Sequence, residues 1–97
     1  MSVLVIVQGT PNPQRAEILK EYQGIALPLI QKHGGQPVAR GKGIESLAGH
    51  HNWGVGSILR FPDIEAVHAW HDDAEYQKII SLRTQAYSDL EINVFQE

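Results

Sequence analysis

The order of apolar and polar residues along the chain predicts four strands. Residues 3–7, with the sequence VLVIV, are aliphatic at every position, which is typical of a central strand that is covered on both faces. Residues 36–42 and 89–96 alternate between apolar and polar side chains and carry charges, so we expect edge strands there. A further alternating run, residues 53–61, ends at Pro62 and predicts the remaining strand.

Between the first two strands, apolar residues recur every three or four positions. This spacing predicts one amphipathic helix over residues 13–32. Pro28 lacks the N–H that would bond to the carbonyl of Gly24, so we expect a kink there, or two shorter helices in place of one. The pair Gly34 and Gly35 is typical of a left-handed helix end.

A second helical pattern, residues 63–83, is divided by two adjacent acids. Asp63 follows the third strand and is placed to cap the first part. Asp72 and Asp73 then separate one apolar stripe from the next, and Asp73 can cap the stretch that follows. We therefore predict an interruption rather than one continuous helix.

The resulting order of strand, helix, strand, strand, helix, strand is the split βαβ, or ferredoxin-like, arrangement of the α+β class. In this βαββαβ topology the first and third strands lie in the middle of a four-stranded antiparallel sheet, and both helices cover one face. The other face would be left bare although the central strands carry apolar side chains on both sides. We therefore expect a homodimer joined through that face, which forms a dimeric α/β barrel.

Composition and charge narrow the choice of partners. The 97 residues are 42% hydrophobic and 20% charged, which fits a single globular domain over residues 1–97. A net charge of −3 without blocks of like charge argues against nucleic acid and membrane partners and favours small molecules or a second copy. The apolar start is too short for a signal peptide or a membrane span, so we expect a cytoplasmic protein.

Several short strings, read in their order and spacing, give the chain a family resemblance from Val3 to Val94. They are Gly34-Gly35, Arg40-Gly41, Phe61-Pro62, Ala69-Trp70, Glu75-Tyr76-Gln77 and Leu82-Arg83. With these strings the chain resembles the DUF1330 family, which implies a ferredoxin-like fold and a barrel-type homodimer. The family has no assigned function, and the wider dimeric α/β-barrel superfamily includes cofactor-free oxygenases, isomerases, haem enzymes and proteins without known chemistry, so the fold alone leaves the reaction open.

The five histidines raise the question of a metal site. His68 and His71 are three residues apart and could present two imidazoles from one helix, with a third from elsewhere in the chain. The chain has no His-Glu-x-x-His motif and no cysteine. We therefore predict no metal site and no cofactor.

Arg83 is the residue that packing explains least. It lies seven positions after Tyr76, on the apolar stripe of the second helical stretch. Its guanidinium could hold a carboxylate or enolate in a bidentate fork, with Tyr76 donating to the same ligand. The alternative is a structural role, with Arg83 paired to a backbone carbonyl or to a carboxylate such as Asp63, Glu65 or Glu45. Arg40, between small residues on the second strand, and His68 are further candidate ligand contacts.

Three hypotheses about function follow from these residues. The first is a dimer that binds a small organic anion in a cleft between the sheet and the helices, beside Arg83, Tyr76 and His68. The second is a cofactor-free enzyme of the oxygenase or isomerase type, in which a histidine or tyrosine abstracts a proton and the arginine stabilises an enolate. The third is a structural or partner-binding module.

Overall fold

The computed structural model describes residues 1–97 and contains four strands and four helices. In chain order these elements are β1 (Val3–Pro11), a 3-10 turn (Pro13–Arg15), α1 (Ala16–Lys32), β2 (Gln36–Lys42), β3 (Val55–Phe61), α2 (Ile64–His71), α3 (Ala74–Gln77), α4 (Ile80–Ala86) and β4 (Tyr87–Gln96).

The strands form one antiparallel sheet in the order β2-β3-β1-β4. The aliphatic β1 lies between β3 and β4, where Val5 is opposite Leu59 on one side and Val94 on the other. The predicted central and edge strands are thus confirmed, as is the ferredoxin-like α+β arrangement. β1 and β4 are longer than predicted because they continue to pair with each other as far as Pro11 and Tyr87.

Helix α1 follows the prediction closely, and it forms one element with Pro28 inside it. Its first predicted turn is a 3-10 turn instead, capped by the Asn12 side chain, which accepts a hydrogen bond from the Gln14 N–H. At the other end Gly34 adopts a φ of 85°, a conformation that glycine enters without steric cost. A side chain on Gly35 would meet the Phe61 ring at 2.6 Å, so this turn packs directly against the core.

The predicted interruption of the second helical region is confirmed. α2 ends at His71, and the Asp73 side chain accepts a hydrogen bond from the Glu75 N–H at the start of α3. The prediction of one helical stretch after Asp73 was wrong, because the chain turns again at Lys78 and Ile79 before α4 begins. This second turn changes how Arg83 is placed relative to Tyr76.

The helices and one face of the sheet enclose the hydrophobic core. Its buried residues are Val3, Val5, Tyr22, Ala26, Leu29, Ile30, Leu59, Phe61, Val67, Trp70, Tyr76 and Ile79. Trp53 lies outside this core, half-buried just before β3, where it stacks on His51.

None of the helices is long and apolar enough to cross a membrane.

Candidate functional site

A buried pair of tyrosine hydroxyls links α1 to the short helices that follow β3. The Oη atoms of Tyr22 and Tyr76 lie 2.7 Å apart. Tyr76 is fully buried and Tyr22 nearly so. Burial raises the pKa of the Tyr22 hydroxyl far above its ordinary value, and the neighbouring Tyr76 raises that pKa further. The Tyr22 hydroxyl is therefore neutral over the physiological range and acts as a hydrogen-bonding group.

Arg83 of α4 extends this pair toward the surface. Its Nη1 donates to the Tyr76 hydroxyl at 3.1 Å and lies 3.3 Å from Nε2 of His71. Because a guanidinium only donates, His71 must accept at Nε2 and carry its proton on Nδ1. Arg83, Tyr76, Tyr22 and His71 thus form one polar cluster contributed by four different helices, which we call the Arg83 cluster.

The Arg83 cluster keeps its histidine neutral. Burial lowers the pKa of His71 below its ordinary value of 6.5, and the positive charge of Arg83 lowers it further. A neutral imidazole with its Nε2 lone pair directed at a cation is the form that this geometry requires. At neutral pH His71 therefore serves as a hydrogen-bond acceptor for Arg83.

Arg83 forms no ion pair within the chain. No carboxylate lies within 4.0 Å of its guanidinium, and this includes Asp63, Glu65 and Glu45, the partners considered for a structural role. Both of its hydrogen bonds come from Nη1. Its Nε–H and Nη2–H groups donate to no other atom of the protein, although the side chain is half-buried.

The structure brings together two of the four predicted ligand-binding residues. Arg83 and Tyr76 are in direct contact, although the hydroxyl of Tyr76 already engages two protein groups. His68 is exposed on α2 and Arg40 is exposed on the edge strand β2, and neither forms a hydrogen bond or an ion pair with the Arg83 cluster. Instead of His68, the histidine of the Arg83 cluster is His71, one turn further along α2.

Sequence reasoning missed Tyr22 and the role of His71. Tyr22 is 54 residues from Tyr76, and its helical spacing predicts only an apolar contact with the sheet. His71 was considered only as a metal ligand. The sequence did contain a signal, because His71 lies just before the predicted interruption. The turn there places the centroid of its ring 5.4 Å from the centroid of the Tyr76 ring.

His33, just after α1, takes part in a separate contact. Nε2 of His33 lies 2.8 Å from the Asp73 carboxylate. The same carboxylate accepts a hydrogen bond from Nζ of Lys32 at 3.2 Å. These contacts and the Glu75 N–H hold the pKa of Asp73 at about 2, with the His33 hydrogen bond as the largest cause. The structure assembles no group of three or more His, Cys, Asp or Glu side chains that could hold a metal ion.

Two clefts are prominent on the surface, and neither is lined by Arg83 or Tyr76. The larger one, about 720 Å³, lies between the sheet and the segment that joins β2 to β3. The smaller one, about 240 Å³, borders the turn after α1.

Comparison with solved structures supports the fold. A protein of unknown function from Rhodopseudomonas palustris superposes with a TM-score of 0.83 at 19% identity, covering 99% of this chain and 82% of that one. A dimeric ferredoxin-like protein of unknown function from Jannaschia sp. CCS1 gives a TM-score of 0.78 at 13% identity, covering 100% of both chains. A dabb family protein with a ferredoxin-like fold from Mesorhizobium loti gives 0.70 at 12% identity, covering 99% of this chain and 96% of that one.

Comparison by sequence identifies the family. No curated protein matches the chain. The model of a family described as a domain of unknown function, DUF1330, matches residues 3–95. The chain therefore belongs to the DUF1330 family, as the resemblance in its short strings predicted, and has the ferredoxin-like fold of its structural neighbours.

Proposed function

We propose that this protein is a homodimer that binds a small organic anion through Arg83. The observation that carries the proposal is the half-buried guanidinium whose Nε–H and Nη2–H groups donate to no protein atom and which has no carboxylate partner. A partly desolvated cation without a counter-ion is costly unless an anion offsets the lost hydration. The planar edge formed by Nε and Nη2 matches a carboxylate or enolate in a two-bond fork.

Within the proposal, the buried tyrosines position the arginine and do not touch the ligand. The Tyr76 hydroxyl accepts from Nη1 and is itself bonded to Tyr22. This arrangement orients the guanidinium from the side opposite its unpaired donors. His71 contacts the same Nη1 atom, so it supports the guanidinium from the same side as Tyr76.

The dimer is supported by the sheet face that the helices leave uncovered, which we call the open face. Register and alternation place Leu4, Ile6 and Ile58 on it, half-buried, together with Phe95, which is 52% exposed. A contiguous apolar patch on a small protein is typical of an interface. Structural neighbours from Jannaschia sp. CCS1 and Bacteroides fragilis are described as dimeric proteins with this fold.

A second candidate function, a cofactor-free isomerase or oxygenase, is favoured by one observation. His71 stays neutral beside a cation because burial and Arg83 lower its pKa. Once its hydrogen bond from Nη1 is released, Nε2 could take a proton from a carbon next to a carbonyl, while the Arg83 donors stabilise the enolate oxygen that forms. A purely structural or partner-binding role is the outcome that remains if neither binding nor proton exchange is found.

Titration with simple carboxylates tests the binding proposal. We expect acetate, pyruvate or benzoate to produce saturable amide chemical-shift changes around Arg83 in the wild-type protein. Arg83→Met should weaken this binding at least about tenfold, as expected from the loss of a charge-assisted hydrogen bond. Arg15→Met is the matched control, since Arg15 is exposed and forms no side-chain contact. If no carboxylate binds, or if both variants bind equally well, the ligand role of Arg83 is wrong.

Two further measurements separate the parts of the proposal. Sedimentation velocity at micromolar concentration should give about twice the chain mass of 10.8 kDa, and a single species at the chain mass would rule out the homodimer. Deuterium exchange into the methyl group of pyruvate should be accelerated by the wild type and lost in His71→Gln if the protein is an enzyme of this kind.

A further inference from the structure

We propose that residues 43–54, which join β2 to β3, form an arm that docks on a second copy of this chain. We refer to these residues as the arm. The inference rests on the proposed homodimer and goes beyond it, because it assigns part of the interface to a segment outside the sheet. At the base of the arm the Gly43 N–H donates to the Gly54 carbonyl at 2.9 Å. Between these residues the chain forms no helix or strand.

The arm lies across the open face of the sheet. Gly41, Gly56, Gln8 and Glu91 are paired one after another from β2 to β4, so they form a single row on that face. This row and the arm together line the cleft of about 720 Å³. The arm therefore stands above one end of the open face, next to the rows that carry its apolar side chains.

Near its end the arm contacts β4. Nδ1 of His51 lies 3.1 Å from the carboxylate of Asp89. Asp89 is paired with Thr10, two positions along β4 from Glu91. Because the side chains of a strand alternate between its faces, Asp89 lies on the open face, as Glu91 does. The His51 ring also stacks on Trp53 with ring centroids 4.4 Å apart. These contacts direct the arm from β3 across the end of β1 to β4.

The arm presents two large aliphatic side chains to solvent. Ile44 is 96% exposed and Leu47 is 92% exposed, more than any other large apolar residue of the chain. Exposed apolar side chains scattered singly are ordinary, but these two lie three residues apart on a segment that adjoins the apolar open face. The arm and the open face thus form one continuous surface for a partner.

Geometry favours a second copy as the occupant. From a strand spacing of ~4.8 Å and a rise of ~3.3 Å per residue, seven paired positions across four strands give a flat footprint of roughly 440 Å². A stable interface of standard size removes about 800 Å² from each partner. A contact through the sheet alone is therefore at most of standard size, and a contact through the arms of two protomers enlarges it.

Packing distance leads to the same conclusion. Stacked sheets lie about 10 Å apart, so a copy that covers Leu4, Ile6 and Ile58 must also meet the arm that stands over the adjoining row. Two-fold symmetry makes each arm contact the other protomer in the same way. Ile44 and Leu47 are the side chains that such a contact would bury.

The test compares two double variants by sedimentation equilibrium. Ile44→Ser with Leu47→Ser should raise the dimer dissociation constant at least about tenfold, because two aliphatic side chains lose their burial in each arm. The matched control is Ile25→Ser with Leu27→Ser on α1, which removes side chains that are 38% and 43% exposed on the helical layer. The control variant should dimerise as the wild type does.

A probe on the arm gives a second reading. The chain has no cysteine, so Leu47→Cys can carry a polarity-sensitive fluorophore as the only label. Its emission should shift to the blue as concentration rises through the dissociation constant, whereas the same fluorophore on Leu27→Cys should not respond.

The outcomes separate this inference from the proposed homodimer. A wild type that stays monomeric contradicts both. A wild-type dimer whose dissociation constant is unchanged in the Ile44 and Leu47 variant, with no change in the emission of the arm label, contradicts only the arm. In that case the open face alone forms the interface.

Discussion

The Tyr76 hydroxyl lies in the middle of the Arg83 cluster, and its removal should cost more stability than removal of the Tyr22 hydroxyl. Tyr76 Oη lies 2.7 Å from Tyr22 Oη and accepts a hydrogen bond from Nη1 of Arg83 at 3.1 Å. The Tyr22 hydroxyl contacts only Tyr76. The changes Tyr76→Phe and Tyr22→Phe keep both rings in place, so they isolate the two oxygen atoms.

The magnitudes follow from the number and kind of bonds lost. Tyr22→Phe removes one neutral hydrogen bond, for which a cost of about 1 kcal/mol is typical. Tyr76→Phe removes the same bond and the charge-assisted one, and it leaves the nearly buried Tyr22 hydroxyl without a partner. The loss should then be about 2–4 kcal/mol. Each kcal/mol corresponds to a fall in Tm of about 4–8 °C for a domain of this size.

Equilibrium unfolding in urea, followed by circular dichroism, measures both losses. Protein concentration must be the same for all variants, because dimerisation stabilises the folded state by mass action. Unchanged m values would show that the variants unfold from the same compact state. The double variant completes the comparison, since in the Tyr76→Phe background the Tyr22 hydroxyl already has no partner. There, Tyr22→Phe should be neutral or stabilising.

Two results would refute this reasoning. Equal losses for the two single variants would mean that the bond from Arg83 to Tyr76 contributes nothing. Additive losses in the double variant would mean that the two hydroxyls are not coupled, because contacting residues in one hydrogen-bond network are expected to deviate from additivity.

Three further predictions concern single residues. Burial and a neighbouring cation lower the pKa of His71, so at mildly acidic pH the unfolded chain binds a proton that the folded chain does not. The free energy of unfolding should therefore fall as the pH drops below about 6.5. Unfolding of His71→Gln at several pH values should show a weaker pH dependence in this range. Asp73 has a pKa of about 2, well below its ordinary value of 3.8, so Asp73→Asn should lower the Tm at pH 7 relative to the control Asp72→Asn. This difference in Tm should vanish as the pH falls from 3.8 toward 2. A difference that persists at pH 2 would contradict the charge argument. Gly24→Ala should raise the free energy of unfolding by about 0.5–1 kcal/mol, because the added methyl group meets nothing within 4 Å on the exposed face of α1. Gly35→Ala, measured by the same thermal melt, should be strongly destabilising, since its methyl group would lie 2.6 Å from the Phe61 ring.

Local sequence pattern determined the elements of this protein and their place in the sheet. The unbroken aliphatic run of β1 required cover on both faces, which only a central strand obtains. The proline and charges of β2 fitted an edge. Asp72 and Asp73 ended one apolar stripe, and Asp73 caps the next helix as predicted. Each of these features depends on residues within a few positions of one another, so it can be read from the chain itself.

Tertiary structure decided which side chains meet. The partner of the Tyr76 hydroxyl is 54 residues away in α1, and helical periodicity states only that Tyr22 faces inward. The turn at Lys78 and Ile79 separates α3 from α4, so Arg83 reaches Tyr76 across two helices and not along one stripe. Likewise, only the folded chain shows that His71, and not the exposed His68, contacts Arg83.

The same distinction applies to the arm. Its loop character follows from residues 43–52, which lack any sustained period. Trp53 and Gly54 were predicted to begin the third strand, but the structure begins β3 at Val55. Its course over the open face brings His51 into contact with Asp89 of β4, 38 positions further along the chain. That contact exists only because β4 adds to the free edge of β1. The sequence of a helix or strand specifies which of its faces is apolar. It does not specify which residue of another element will lie against that face, because contacts between distant residues depend on how the layers pack.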